Sequence, residues 1–396
     1  MADTRSDVED RLVDLLRTAR SSLGLSVSFV SRLDETTQHL EVVESEVPTP
    51  FRAGQSRLRR NSPCQAILDG ALPSVIPDTA ALPADQQFPV PSIRSLVSVP
   101  IVLSDGSLYG TFCAAGFSSE PSLTARDKTL MDVLAQAASA IIEPTVHERA
   151  RRSAIEDRLL PVIEAGGPIV VLQPIVDFAT GRFVGAEALS RFPAAWSMPP
   201  DVCFDEAHSI GLGNHLELLA LERAAEYLPS VPGHLAMNVS PEALLAPECG
   251  LLLDRLPLDR VVLELSEHDA VSDYGLLMSV LAPRRARGMQ LAIDDVGAGF
   301  SSLRHIVLTA PDVIKLDRTI VTGIGTDAVL GTLVNALVGF AHECRARVVA
   351  EGVETASDAE VLRGLGVDHG QGWFFGRPGP VEALSAAVRV LVEPPS

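Results

Sequence analysis

Lysine is almost missing from this sequence. Of 32 basic side chains only Lys128 and Lys315 carry an ammonium, and the rest are arginine. Basic charge as a whole is short, with 51 acidic residues leaving a net charge of −19. A surface of that sign argues against duplex nucleic acid as a partner, because phosphate binding needs a basic footprint. Cysteine is sparse and scattered: Cys64, Cys113, Cys203, Cys249 and Cys344 show no paired spacing. That speaks against a cysteine-type zinc site and suits reduced thiols in a cytoplasm. No apolar run is long enough to span a bilayer, and the opening MADTRSDVEDRL is too polar for a secretory signal. The expectation is a cytoplasmic protein without a membrane span.

What the sequence does have is a recurring pattern in its second half. IVVLQ, VGAEAL, HLAMNVS, VVLELSE, LAIDDVG, VIKLD, VVAEGVE and GQGWFF are short apolar runs, each carrying a carboxylate or amide. Such runs, bounded by turn residues, read as buried strands, and helical stretches lie between most of them. Alternating strands and helices imply parallel strands in an α/β fold. Polar groups at successive strand ends imply a barrel whose carboxyl rim is a site. Glu187, Asn238, Glu264, Asp294, Asp295 and Glu351 would then converge. Five carboxylates cannot share one small space ionised unless cations neutralise them, so the pattern points to a two-metal site. Lys315, one of two lysines, ends the VIKLD run, where a compact ammonium has a use that guanidinium does not. Asp294 and Asp295 are adjacent, so both reach one site only where the strand ends or bends, which Gly297 and Gly299 would permit. Glu267 lies three residues beyond Glu264, on the other face of a regular strand, and is not expected to be its co-ligand.

The first half reads differently. Asp7 to Ser22 has the spacing of an amphipathic helix, and LSVSFVSRL and HLEVVES read as paired strands. SLVSVPIVL and SLYGTFCAAGF read as a hairpin turning at Ser104-Asp105-Gly106, followed by a helix over Ala125 to Ile142. Residues 1–150 are thus expected to form an α+β module. Glu143-Pro144 is expected to interrupt the helix, with a helical connector resuming beyond it into residues 151–396.

The N-terminal module resembles a GAF domain in element order and in the texture around Pro100 to Ala115. No Cys-His pair for a bilin appears, and its ligand is unknown. From about residue 155 the sequence resembles the EAL family of cyclic-di-GMP phosphodiesterases. The motifs are QPIVDFATGRFVGAEALSRF with Glu187-Ala188-Leu189, NVS at 238, ELSE at 264, DDVGAGFSSL at 294, IKLDR at 314, AEGVET at 350 and QGWFFGRP at 371. The resemblance implies a modified TIM barrel with one antiparallel strand, and a reaction that opens cyclic-di-GMP to linear pGpG. It assigns Glu187, Asn238, Glu264 and Asp294 to a first divalent cation, Mg²⁺ or Mn²⁺, with Asp294 bridging toward a second near Asp295. Lys315 and Glu351 are placed beside the attacking water, Glu351 as a ligand or a proton acceptor. Gln173, Arg191 and Gln371 contact the dinucleotide, and Glu267 anchors the loop after the aspartate pair. Glu354 is as readily a structural partner as a functional one. The loop departs from the family pattern at Val296, Ala298 and Phe300, but no metal or water-handling position is lost. The resemblance also implies a homodimer. A catalytic phosphodiesterase regulated by the GAF-like module is the favoured reading; a non-catalytic cyclic-di-GMP receptor or assembly module is the alternative.

Overall fold

The computed structural model describes residues 2–83, 86, 92–266, 270–297 and 302–384. The chain forms two compact units, Met1–Arg152 and Ser153–Ser396.

In the first unit, α1 (Ala2–Leu23) leads into β1 (Val27–Leu33) and β2 (Thr37–Ser45). There follow β3 (Ser56–Leu58), the short α2 (Pro63–Leu68), β4 (Val75–Ile76), β5 (Ser95–Val102) and β6 (Leu108–Gly116). The strands form one antiparallel sheet in the order β3-β2-β1-β6-β5-β4. The hairpin between β5 and β6 turns at Ser104-Asp105-Gly106, with Gly106 at φ +85°. Alternation along the strands sends Val30, Val97, Ile101 and Phe112 to one face, against Leu12 and Leu16 of α1. It sends Phe29, Leu96, Cys113 and Ala115 to the other, against Cys64 and Ile67 of α2.

The expected break at Glu143-Pro144 is not there. One helix, α3 (Ala125–Glu164), runs through both Pro144 and Pro161. A proline ring inside a helix removes one backbone hydrogen bond and costs about 3 kcal/mol. Ile142 and Val146, on either side of the ring, pack into the same core as Met131 and Ala138, and that apolar burial offsets the loss.

The second unit is a closed eight-stranded barrel. Its strands are β7 (Ile169–Asp177), β8 (Phe183–Arg191), β9 (His234–Asn238), β10 (Val261–Ser266), β11 (Gln290–Val296), β12 (Val313–Leu316), β13 (Arg347–Ala350) and β14 (His369–Gln371). They close in the order β10-β11-β12-β13-β14-β7-β8-β9. Seven strands run parallel, while β7 is antiparallel to both β8 and β14. The period of two makes every second side chain point inward. Inward positions form layers: Ala236, Val262, Ala292, Val313 and Val349 pack as the apolar middle. Two residues further on, at or near the ends of those strands, come Asn238, Glu264, Asp294, Lys315 and Glu351. The intervening outward residues, such as Met237, Leu263, Ile293, Ile314 and Ala350, join the larger core outside the barrel. The same spacing that packs the barrel therefore delivers the polar groups to one end.

Candidate functional site

At that end Lys315 is the hub. Its side chain is 1% exposed, and Nζ lies 2.6 Å from Glu351 Oε1, 3.0 Å from Glu264 Oε2, 3.1 Å from Asp294 Oδ2 and 3.5 Å from Glu187 Oε2. Asn238 Nδ2 donates to Glu187 Oε1 at 3.0 Å, and Gln371 Nε2 donates to Glu187 Oε2 at 2.6 Å. Gln371 Nε2 also donates to Gln173 Oε1 at 3.0 Å, and Gln173 Nε2 donates to the Gly376 carbonyl at 3.1 Å. Gln173 reaches this end because β7 is antiparallel, so its early residues lie at the rim where other strands finish.

Asp294 and Asp295 both serve the rim, and the backbone shows how. The pairing of β11 with β12 shifts between Ile293 and Val296, and Asp295 sits at φ +59°. A bulge with a left-handed residue turns a second consecutive side chain the same way. The required bend thus lies at Asp295 itself, with Gly297 (φ +110°) just beyond it. A Cβ on Gly297 would come within 2.6 Å of Ile320, so this position also needs the missing side chain. Two carboxylate groupings result, each with oxygens within 4.8 Å of one another: Glu187, Glu264 and Asp294, and Asp294, Asp295 and Glu351.

The electrostatics follow from five acids around one base. Burial alone would lower the Lys315 ammonium, but Asp294, Glu187, Glu264 and Glu351 raise it well above its ordinary range, so it stays charged. Burial pushes Glu264 far up, helped by Glu187, Asp294 and Glu351 and opposed by Lys315. Burial also pushes Glu351 up to about 8, against the pull of Lys315. Glu187 differs. Burial would raise it, yet Lys315, Gln371 and Asn238 hold it below the usual carboxylate range. One ammonium does not neutralise the cluster, and without further positive charge some of these carboxyls take protons. An all-oxygen donor set with surplus negative charge suits hard divalent cations, and the buried Gln371 Oε1, which has no partner among the described residues, adds one more oxygen.

Gln173, Glu187, Asp294, Asp295, Glu351 and Gln371 line one cavity of about 340 Å³, which Glu354 also borders. Asn238, Glu264 and Arg191 border a second cavity of about 390 Å³, and Leu189 lies between the two. Arg191 Nη1 donates to the Ser190 carbonyl at 2.8 Å. Glu267, Ala298 and Phe300 lie outside the described residues. Sequence reasoning did not single out Asp317, Arg318 or Trp373, which border the first cavity. Asp317 caps the turn Arg318–Val321 by accepting from Thr319 N, so its signal is that of an ordinary helix cap.

Residues 155–378 match the model of the EAL domain. The chain belongs to the EAL domain family. Residues 5–143 match the model of the GAF domain. Among curated relatives, the EAL chain is 32% identical over 239 residues to the probable cyclic di-GMP phosphodiesterase PdeN of Escherichia coli (strain K12), covering 57% of this chain and 45% of that protein. It is 30% identical over 223 residues to the cyclic di-GMP phosphodiesterase PdeL of the same organism, covering 53% of this chain and 62% of that one. It spans less than two thirds of the length of these relatives, and 36% to 42% of several others. Among solved structures, the PaMucR phosphodiesterase in complex with c-di-GMP aligns at a TM-score of 0.51 and 27% identity, over 58% of this chain and 99% of that one. An EAL domain protein of Listeria monocytogenes EGD-e aligns at 0.52 with 22% identity, over 59% and 98%, a likeness of fold. Among the described residues no helix is long and apolar enough to cross a membrane.

Proposed function

We propose that this EAL protein is a cytoplasmic phosphodiesterase that opens cyclic di-GMP to linear pGpG with divalent cations, Mg²⁺ or Mn²⁺. The observation that carries this reading is the rim: carboxylates and an asparagine from separate strands meet around one buried lysine. Glu187, Asn238, Glu264 and Asp294 would hold one cation, and Asp294, Asp295 and Glu351 a second. Bound cations supply Lewis acidity, which acidifies water and polarises a phosphoryl oxygen. Lys315 keeps its proton and fixes the orientation of four carboxylates while directing positive charge at the phosphate. Gln173 and Gln371 brace Glu187 and border the cavity in which the dinucleotide lies. Arg191 offers a planar fork to a phosphate from the adjoining cavity. Glu351 either ligates or takes the proton of the attacking water. A Glu351→Gln variant that binds Mn²⁺ normally yet does not turn over would assign it the proton.

Residues 1–150 act as a GAF-like sensory domain that sets the rate of the barrel, residues 151–396, in a homodimer. The test is to incubate the full chain with cyclic di-GMP and either cation and to quantify pGpG by chromatography, with and without EDTA. Metal-dependent pGpG is expected. Tight dinucleotide binding with no pGpG under either ion would overturn the proposal in favour of a receptor. A chain lacking residues 1–150 that turns over at an unchanged rate would remove the regulatory part alone.

A further inference from the structure

The N-terminal unit contains a buried polar island that the reading above does not use. On the α2 side of its sheet, Ser31 of β1, Gln38 of β2, Ser98 of β5, and Thr111 and Cys113 of β6 are all 0% exposed. They sit amid the apolar residues Phe29, Leu40, Leu96 and Ile67. Cys64 enters this island from α2, and its Sγ lies 3.3 Å from Cys113 Sγ. The pair is separated by 49 residues in sequence, which is why spacing gave no hint of it. Around the sulfurs, Ser98 Oγ is 3.1 Å from Cys113 Sγ, and Cys113 Sγ is 3.2 Å from Thr111 Oγ1. Thr111 Oγ1 pairs with Ser31 Oγ at 2.7 Å, and Gln38 Nε2 donates to Ser31 Oγ at 2.8 Å. Gln38 Oε1 is buried with no partner among the described residues. An apolar core would be cheaper to build there, since buried polar groups stabilise only when each is satisfied.

We propose that Cys64 and Cys113 form a redox-active dithiol that a peroxide converts to an intramolecular disulfide. The two sulfurs already touch, and a bond of ~2.05 Å needs them to close by roughly 1.2 Å, a shift that small side-chain rotations supply. The island also divides the two thiols into unlike roles. The Cys113 thiol donating toward Cys64 pulls Cys64 below its ordinary range against burial, aided by Gln38 and Thr111. Burial, and then the neighbouring Cys64, push Cys113 well up. The opposed directions of the two shifts favour Cys64 as the nucleophile and Cys113 as the resolving thiol. The Cys64 thiolate attacks one peroxide oxygen and breaks the O–O bond, giving a sulfenic acid and releasing hydroxide. The Cys113 sulfur then displaces the sulfenic hydroxyl, which takes up the Cys113 proton and leaves as water. Two thiols and one hydrogen peroxide become one disulfide and two waters. A structural metal does not account for the pair: among the described residues the metal-capable groups are carboxylates of the barrel, and two thiols alone leave a zinc ion two ligands short. The bond would tether α2 to the central strand β6.

The test treats the full-length protein with hydrogen peroxide, blocks free thiols with iodoacetamide after unfolding, and maps peptides without reduction. Cys344 is exposed and serves as the internal sign that oxidant acted, whereas Cys203 and Cys249 are buried and unpaired. The expected result is a Cys64–Cys113 linked peptide pair with a mass loss of two hydrogens, reversed by dithiothreitol and absent in Cys64→Ser and in Cys113→Ser. Oxidised Cys344 with both Cys64 and Cys113 still alkylated would overturn the proposal. So would sulfinic acid at Cys64 without the linked pair. The wild-type map decides the matter even if a serine variant fails to fold.

Discussion

The two ends of the barrel are made by the same strands and have opposite chemistry. Along β9 the inward residues run His234, Ala236, Asn238; along β11, Gln290, Ala292, Asp294; along β13, Arg347, Val349 and, just beyond, Glu351. One end therefore gathers acids around Lys315. The other gathers His234, Gln290, Arg347 and His369, which, together with the apolar layer and with Glu264 and Lys315 beyond it, border a void of about 40 Å³. At the lower end the polar groups lie beside partners of matching chemistry. Arg347 donates to Gln290, Gln290 Nε2 lies 3.2 Å from His234 Nε2, and His369 Nε2 is 3.8 Å from Asp177 Oδ2. At the upper end charge is left over. A layer of neutral groups about one arginine closes the barrel, whereas several carboxylates about a single ammonium carry the surplus charge that a bound cation would balance.

The contrast is broken most directly by substitution at matching depths. Glu187→Ala should lower pGpG formation by about 10²–10³-fold, the order seen when a charge-stabilising group leaves a reaction centre. Gln290→Ala, an inward residue at the opposite end, should leave turnover within assay scatter. Equal losses in the two, with native circular dichroism, would mean that the ends do not differ in function. A second substitution tests the hub. Lys315→Met leaves buried carboxylates without their counter-charge, which typically costs ~3–5 kcal/mol. Urea unfolding should show that loss in metal-free buffer and a partial recovery with Mn²⁺. A variant as stable as wild type without metal would show that the ammonium is not holding the cluster together.

How far this contrast could be read in advance depends on repetition. The rim was legible because several strands spell the same sentence, apolar residues and then an oxygen-bearing side chain, so Glu187, Asn238, Glu264 and Asp294 reinforced one another. The bend that admits Asp295 was legible as a need, but Gly297 and Gly299 drew attention away from the aspartate that makes it. The lower layer gave little signal, because His234, Gln290, Arg347 and His369 open their strands with unlike residues and share no motif. Local propensity at Glu143-Pro144 argues for a break, while the tertiary contacts of Ile142 and Val146 carry α3 through Pro144. Asp317 and Trp373 border the cavity from turns, where no periodicity marks them. The EAL motifs placed the barrel, whereas the thiol pair of the N-terminal unit joins a short helix to a central strand across 49 residues and needed coordinates.

Cation binding sharpens the comparison at smaller cost. A ligand that binds only the folded state stabilises it by ~2.7 kcal/mol when present at 100 times its dissociation constant. Wild type should therefore unfold at higher urea with Mn²⁺ than with EDTA, and Glu187→Ala should lose most of that shift. Gln290→Ala should keep it. A shift that survives Glu187→Ala would place the bound cation away from the rim.

The smallest effect is expected at the lower end, and it comes from protons. Burial lowers His234, with Arg347 and Arg260 adding to the shift and the Val184 backbone and Asp259 opposing it. Burial also lowers His369, assisted by Arg347 and His234 and opposed by Asp177 and Asp368. A base depressed in the folded state is neutral there while its unfolded counterpart still binds a proton. Below the ordinary histidine value of ~6.5 the unfolded chain thus holds more protons, and stability falls as pH falls. The window opens near that value and extends downward until the folded histidines also charge beside Arg347. His234→Gln or His369→Gln removes one such group, so the urea midpoint of either variant should decline less steeply than wild type between pH 7.5 and 5.5. Comparing slopes rather than absolute midpoints separates the histidines from the rim carboxyls, which titrate alike in both proteins when the sites are independent. Parallel slopes would mean that the lower layer keeps its protons unchanged on folding, and the two ends would then differ in charge but not in their coupling to pH.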